Sequence, residues 1–486
     1  MVDQIKPCII GVAQKTWRPT KGYAPHPLVQ AAEIAKIAAA DCTNESVLSF
    51  INELDLVLPL SWKYDDPCSQ LAAALSLPDG ERKLSGLSGT SPQRFINDAA
   101  ESIIQGRKRA ILVCGAEAFA TRKLAKKQQL ELGWPAPTRR NAPAFEDPLI
   151  PTEITHEVFQ AYATFAMLDS ARRAHLGIGL EEYRKNEAEM MAKLSTVAAE
   201  NTAAWFARAY GSDDLFNLDT SNRMIAYPFS RNTMAFMDVD MASAVIVASE
   251  DLADELGVPK EKRVYLHGWD YQKEPPYIAQ RKDLWRCPSM ENAGHNAMAM
   301  AGVTINDIQH LDLYSCFPSA LNFCKDALEI SDTDGRSLTV TGGLPYFGGP
   351  GNNYTAHSIT AMVQKLRQND GQFGLTSGIG MHMTNHVFTI FSTNKPDRLV
   401  IPKASSGEQQ VCVIEERVDG PAIIMAYTVL HEKSGNCALA ICELANGHRC
   451  YAKCFNEAVL KSMEETEWVG KSVLLSNNKD NINIFG

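Results

Sequence analysis

An α/β fold is predicted by three features of the chain: short, uniformly apolar runs alternate with helical patterns, a charged helix-rich stretch interrupts them, and three apolar strands joined by tight turns follow. In the N-terminal part "CIIGVA" (residues 8–13), "LDLVLPL" and "RAILVCGAEAF" read as strands, separated by the helices "LVQAAEIAKIAAADC" and "PQRFINDAAESIIQG". Runs this apolar are buried on both faces, which predicts a parallel sheet. Residues 121–223 are charged and helical, with a Pro-rich entrance "GWPAPTRRNAPAFEDP", and read as an insertion carried on the sheet. Strands resume at "MASAVIVAS" and "KRVYLHGWDY", and a second α/β block runs on to "FGLTSGIGMHMTNHVFTIFST". After Asn394, "GPAIIMAYTVLHEKSGNCALAICELANGHRCYAKC" reads as three strands with turns at 433–436 and Asn446-Gly447, the start of a small barrel-like all-β domain. The implied units are 1–120 with 224–258, 121–223, 259–394 and 395–486.

Composition narrows the function. The chain of 486 residues is 45% hydrophobic and 21% charged, and no apolar run approaches the roughly 20 residues of a membrane helix. The opening "MVDQIKPCIIGVAQ" reads as a first strand rather than an export signal, so a cytoplasmic location is expected. Forty-seven basic against 57 acidic residues, a net charge of −10, offer nucleic acid no footprint, and a polyanionic ligand needs a local basic patch. Twelve cysteines without a CxxC pair read as buried reduced thiols.

Three motif matches fail on a required residue. "EETEWVGKS" has Glu465 where a phosphate loop needs its first glycine. "HEVFQ" has Gln160 where a zinc site needs its second histidine, and "GLSGT" ends on Thr90 where a nucleophile elbow needs glycine. The group Cys437, Cys442, His448, Cys450 and Cys454 fits no zinc spacing, so no metal is expected. From Ile401 onward eight Lys/Arg face 11 Asp/Glu, so the β domain lacks the charge of an oligonucleotide-binding barrel.

Four pieces in order, "IIGVAQKTWRP", "SGTSPQRFINDAAESIIQGRKRAILVCGAEAF", "LDLYSCFPSALNFCKDALEI" and "TGGLPYFGGPGNNY…GLTSGIGMHMTNH", resemble the thiolase superfamily, in particular its sterol-carrier-thiolase-like and thiolase-like branches. The resemblance covers residues 2–392 and leaves out the β domain. It implies two αβαβα halves with a helical loop domain, acting on or binding a coenzyme A thioester as substrate or ligand, with no permanently bound cofactor. Carbon–carbon bond chemistry beside a thioester needs a thiolate nucleophile, a base and oxyanion holes. The family supplies them from a cysteine at a helix start, a His-Asp-Cys-Phe or Asn-Glu-Ala-Phe motif, a Gly-His-Pro loop and a Cys-x-Gly loop.

This chain departs at each loop. Thr90 stands at the nucleophile position, with no cysteine between Cys68 and Cys114. Thr90 or Ser91 would need an adjacent base to act; alternatively Ser91 is an N-cap, Pro92 opens the helix, and Phe95, Ile96, Ala99, Ala100, Ile103 and Ile104 form a buried stripe. The third motif reads Tyr314-Ser315-Cys316-Phe317; Cys316 and Phe317 match, and Tyr314 is either an oxyanion donor or a ring packed at a strand end. The catalytic histidine's place falls near Gly349, with Asn352, Asn353 and His357 close by, and Thr376 or Ser377 replaces the second cysteine. If "GMHMTNH" is a strand, His382, Thr384 and His386 share one face, as base and donor or as a polar, partly buried surface.

The resulting expectation places His382, His386, Tyr314 and Cys316 as catalytic candidates and Ser91, Gly349, Asn352 and Ser377 against substrate. Ordinary thiolase turnover is not expected. The chain is read as an acyltransferase-like protein with a degenerate site or, alternatively, as a non-catalytic acyl-CoA binder or scaffold whose β domain meets a protein partner. It acts as a monomer or homodimer, without nucleic acid or membrane.

Overall fold

Four strands precede the helical insertion: β1 (Pro7–Thr16), β2 (Glu53–Leu56), β3 (Glu81–Leu84) and β4 (Ala110–Ala118). The insertion ends in β5 (Met224–Ala226) and β6 (Phe229–Ser230), and β7 (Asp240–Ser249), β8 (Val264–Lys273), β9 (Ile308–Asp312), β10 (Phe373–Gly380) and β11 (Asn385–Ser392) follow. The C-terminal segment holds β12 (Gly420–Glu432), β13 (Gly435–Glu443), β14 (Arg449–Cys454), β15 (Ser472–Asn477) and β16 (Asn483–Ile484). These elements belong to a computed structural model that describes residues 4–18, 22–136, 146–400 and 410–486. The Pro-rich entrance of the insertion lies partly outside the described residues.

Nine strands form one mixed sheet in the order β3-β2-β4-β7-β1-β8-β11-β10-β9. Only β2–β3, β2–β4 and β9–β10 are parallel, so the parallel sheet expected from the apolar runs is confined to the two ends. The runs report burial on two faces, and here helices cover both faces of antiparallel strands as well, so strand direction is invisible in composition. β1 and β8 meet only through Cys8↔Tyr265 and Ile9↔Val264, a short seam between a five-stranded and a four-stranded block.

Helices complete five layers, αβαβα. In the centre, the helices Ser91–Ile104 and Tyr354–Arg367 bury Ile96, Ile103, Ile359 and Met362 against Ile9, Val245, Val264 and Phe391 of both blocks. The helices Pro27–Asp41 and Pro67–Ala74 cover the outside of the first block, and Pro288–Ala301 and Pro318–Ala327 that of the second. Ala161–Leu176 and Leu180–Glu200 of the insertion join the same core as the second block.

The C-terminal strands close on themselves: β13, β14, β16, β15 and β12 are neighbours in that order, and β12 also pairs with β13. With the helix Glu457–Glu465 between β14 and β15, this is a five-stranded barrel of OB type. Ile424, Val429, Ala440, Cys442, Cys450 and Ala452 fill it, the cysteines serving as small apolar side chains. Residues 224–230, expected with the N-terminal half, instead extend the barrel's sheet through Ala226↔Leu430. Local sequence could not reveal this, because the pairing partner lies far along the chain.

Phe391→Ala, which empties a fully buried site shared by both blocks, is expected to lower unfolding free energy by about 3–5 kcal/mol. Leu474→Ala, on an exposed barrel side chain, is expected to change it by about 0.5 kcal/mol or less. Urea titration of the two variants checks both.

Candidate functional site

Several segments converge on the turn before the helix Ser91–Ile104. A side chain at Gly89 would collide with the Ile379 carbonyl and the Tyr314 hydroxyl, and one at Gly380 with Ser88 Oγ. Only glycine lets the turn, the end of β10 and the residues after β9 approach this closely. Thr355, in the first turn of the helix Tyr354–Arg367, donates to the Gly89 carbonyl at 3.3 Å. The helix Ser91–Ile104 is tied to the same hairpin, since Gln93 donates to the Thr376 carbonyl (3.0 Å) and Thr389 (2.9 Å), and Thr389 donates to Asn97 (2.8 Å).

Thr90 is fully buried, and its hydroxyl lies 2.8 Å from that of Ser88, a neutral group that cannot take its proton. Thr90, not Ser91, occupies the N-cap position, and its side chain makes no cap hydrogen bond. Ser91 is inside the first turn and donates weakly to Gly86 at 3.4 Å, so the expected Ser91 cap is corrected by one residue. The buried stripe holds at Ile96, Ala99, Ala100 and Ile103, while Phe95 and Ile104 are partly buried.

Tyr314 sits with its phenol against Gly89 and its ring edge-on to Tyr354, centroids 5.6 Å apart. Burial pushes its hydroxyl well above the usual phenol range, so it stays protonated and able to donate. Burial also raises the Cys316 thiol, which keeps it from acting as a thiolate at neutral pH. Ser377 does not face the turn: its Oγ accepts from the Tyr314 N–H (2.9 Å) and meets Cys324 (3.7 Å) in the core. Asn352 likewise turns inward, donating to the Leu58 carbonyl at 3.2 Å, and Gly349 is held by its N–H on the Phe236 carbonyl at 2.8 Å. Ser377 and Asn352, expected against substrate, are therefore struts of the loops, because each finds a backbone partner in the interior. His357 lies in the central helix, bonded to Gln14 at 3.0 Å.

The histidines do not share a strand face. Residues 381–384 form the turn between β10 and β11, with Met381 and Met383 at φ 56° and 54°, so His382 projects from the turn and His386 from the strand. His386 Nε2 meets Cys287 Sγ and the Met383 carbonyl, each at 3.1 Å, deep in the core. His382 Nδ1 meets Thr164 Oγ1 of the insertion at 3.0 Å. Burial first, and the Arg281 charge second, lower His382 to about 4 and His386 to about 3, so both are neutral at pH 7.

His382 and Thr384 instead line a small cavity of about 20 Å³ with Glu153, Asp147, Tyr277 and Met381, at the meeting point of the insertion, the β10–β11 turn and the end of β8. Buried Arg281 fixes this turn, donating to the His382 carbonyl (2.8 Å) and Thr384 Oγ1 (3.1 Å). Glu153 Oε1 accepts from the Tyr451 hydroxyl of β14 at 3.1 Å, and burial raises its carboxyl to about 7. Neither Arg281 nor Glu153 carries a signal in the sequence; Glu153 in "IPTEITH" reads as an ordinary acidic residue in the first turn of a helix. A larger open depression of about 660 Å³ lies beyond β4, bordered by Trp62, Phe119, Arg122, Lys126, Trp134 and Asp238, and shares no residue with the Thr90 turn.

No protein-family model matches the chain. Its fold matches that of a monomeric SCP2-thiolase like protein type 1 from Mycobacterium smegmatis with a TM-score of 0.86, at 29% identity and 99% coverage of both chains. The Acat5 thiolase from Ascaris suum in complex with coenzyme A matches at a TM-score of 0.57, with 14% identity over 80% of this chain and 99% of the other. The benzoylsuccinyl-CoA thiolase subunit BbsB of Thauera aromatica is 24% identical over 188 residues, 35% of this chain. That alignment spans 46% of the curated relative's length. The chain has the thiolase-superfamily fold that it shares with an SCP2-thiolase-like protein, and carries a C-terminal β domain beyond the part that the Acat5 thiolase matches.

The depressed histidines set an acid limit to stability. His357 and His386 near 3 and His382 near 4 lie below the 6.5 of an unfolded imidazole, so below pH 6.5 the unfolded chain binds more protons. Their contribution is intact above 6.5 and is lost as pH falls toward 4. Two-dimensional NMR of labelled imidazoles is expected to find these three neutral at pH 5; midpoints near 6.5 would contradict the buried placement.

Proposed function

We propose that the chain binds a coenzyme A thioester at the Gly89–Thr90 turn and does not perform ordinary thiolase turnover. The observation that carries this reading is the convergence of Tyr314, Thr355 and the Ile379–Gly380 end of β10 on a turn where, among the described residues, the Thr90 side chain meets only the Ser88 hydroxyl. The meeting of these loops at one turn supports a thioester site even though their catalytic residues differ, and Thr90 without a base speaks against an acyl-enzyme. Tyr314, as a protonated phenol beside that turn, is the donor for charge on a thioester oxygen. His382, neutral and two residues beyond the Gly380 that abuts Ser88, is the second polar group of the site; His386 acts only through the packing of the hairpin. Cys316 takes no part as a thiolate.

The helix Phe119–Gln128 brings Arg122 and Lys126 beside Trp62 and Trp134, with Lys123 paired to Asp238 and Glu131 on the rim, and these two cations are the local positive charge offered to phosphates on a chain of net charge −10. A scaffold reading is supported by a separate observation. Leu474 is 74% exposed on the barrel, next to Pro421, with Ile423 one step along β12, an apolar patch suited to a protein partner. The family's carbon–carbon chemistry is expected to be absent in either case.

Calorimetry with acetyl-CoA is expected to give a saturable isotherm, weakened several-fold and made less salt-dependent by Lys126→Glu. Acetoacetyl-CoA thiolysis is expected at background, unchanged in Thr90→Ala. Robust thiolysis lost in that variant would refute the reading.

A further inference from the structure

We propose that the cavity at the β10–β11 turn holds the attacking water of a thioester hydrolysis, with Glu153 as its general base and His382 beside it. The inference rests on the thioester reading above and deepens it by naming the nucleophile that replaces the missing thiolate.

The cavity's size sets its occupant. About 20 Å³ accommodates one water, since one probe sphere needs roughly 10–15 Å³. Its chemistry calls for that water: Glu153 is 4% exposed, its Oε1 is satisfied by Tyr451, and its buried Oε2 has no hydrogen-bond partner among the described residues. A buried carboxylate oxygen left without a donor is costly, and a water in this cavity supplies one. His382 spends Nδ1 on Thr164, which leaves Nε2 for the cavity, and Arg281 holds the turn by its bonds to the His382 carbonyl and Thr384. The position also suits the reaction. Met381 of the cavity wall directly follows Gly380, which abuts Ser88, whose hydroxyl holds Thr90.

In the reaction the water passes a proton to Glu153 Oε2 as its oxygen bonds to the thioester carbon, and the carbonyl electron pair moves to oxygen. Collapse of that oxyanion breaks the C–S bond, and the leaving coenzyme A sulfur takes the proton back from Glu153. Acid and coenzyme A are the products and water is the only co-reactant. The titratable and charged groups around Glu153 are Tyr451 from β14, Arg281 and Tyr277 from the segment after β8, Asp147 of the insertion and His382 of the turn. Burial lifts the Glu153 carboxyl to about 7, so its basic form, and the rate, grow as pH rises through 7.

The test uses the full chain with acetyl-CoA, following thiol release by a thiol-reactive dye and acetate by mass spectrometry in ¹⁸O-water. Wild type is expected to release coenzyme A above the buffer blank, with one ¹⁸O in the acetate and a rate that rises through pH 7. Glu153→Gln is expected to slow release about 10²-fold while acetyl-CoA affinity in calorimetry stays within about twofold. Binding without release, release unaffected by Glu153→Gln, or a flat wild-type profile between pH 6 and 8 overturns the proposal while leaving the thioester reading standing. Should Glu153→Gln fail to fold by circular dichroism, the wild-type label and pH profile decide alone. A silent titration with both acetyl-CoA and free coenzyme A removes the thioester reading and the proposal together.

Discussion

A single buried guanidinium governs the region where the three parts of the molecule meet. Arg281 is 4% exposed and donates to the carbonyls of Pro275 and His382 and to Thr384, and no carboxylate among the described residues is in ion-pair contact with it. Taking such an ion out of water costs several kcal/mol unless hydrogen bonds replace its hydration, so the carbonyls around it cannot move independently. Its own carbonyl accepts from Arg449 of β14, which docks the barrel on the same point. The shape of the β10–β11 turn and the seat of the barrel are thus tied to one charge, which also adds to the burial that keeps both hairpin histidines neutral.

The layered core was legible in the sequence because burial leaves a periodic record. The apolar runs around Ile9, Val113 and Val247 and the stripe Ile96, Ala99, Ala100 and Ile103 lie in the core as read. Strand direction left no such record, and neither did the pairing of Ala226 with Leu430. The site was less readable. "GMHMTNH" has no Gly, Asn or Pro at the two left-handed positions, Met381 and Met383, so the turn that separates His382 from His386 had no local signature. Thr90 differs from the expected cap by one residue because its hydroxyl serves Ser88 instead of the helix. Glu153 and Arg281 come together only through tertiary packing, which no spacing rule reaches.

The barrel also uses its own surface in an informative way. In OB folds the face of the second and third strands carries ligands. Here β13 and β14 turn part of that region toward the insertion: Lys453 pairs with Glu157, Tyr451 meets Glu153, and Arg449 reaches the carbonyls of Arg281 and Lys282. These three side chains are spent on holding the thiolase-like body, so the barrel's identity says little about cargo. It stands behind the junction cavity, where Tyr451 fixes one oxygen of the lining residue Glu153 and leaves the other without a donor among the described residues.

The short hairpin β5–β6 has a consequence for how the molecule is made. Tyr227 donates its N–H to the Val429 carbonyl and accepts from Thr428, so the end of the insertion finds its edge partner only about two hundred residues downstream. On the ribosome this hairpin emerges long before β12 exists, and its edge must wait unpaired while the second block is synthesised. The chain therefore cannot mature strictly from its beginning to its end. A strand made much later, β12, completes an early one, and a product stalled or clipped before it would carry an open edge of the kind chaperones recognise.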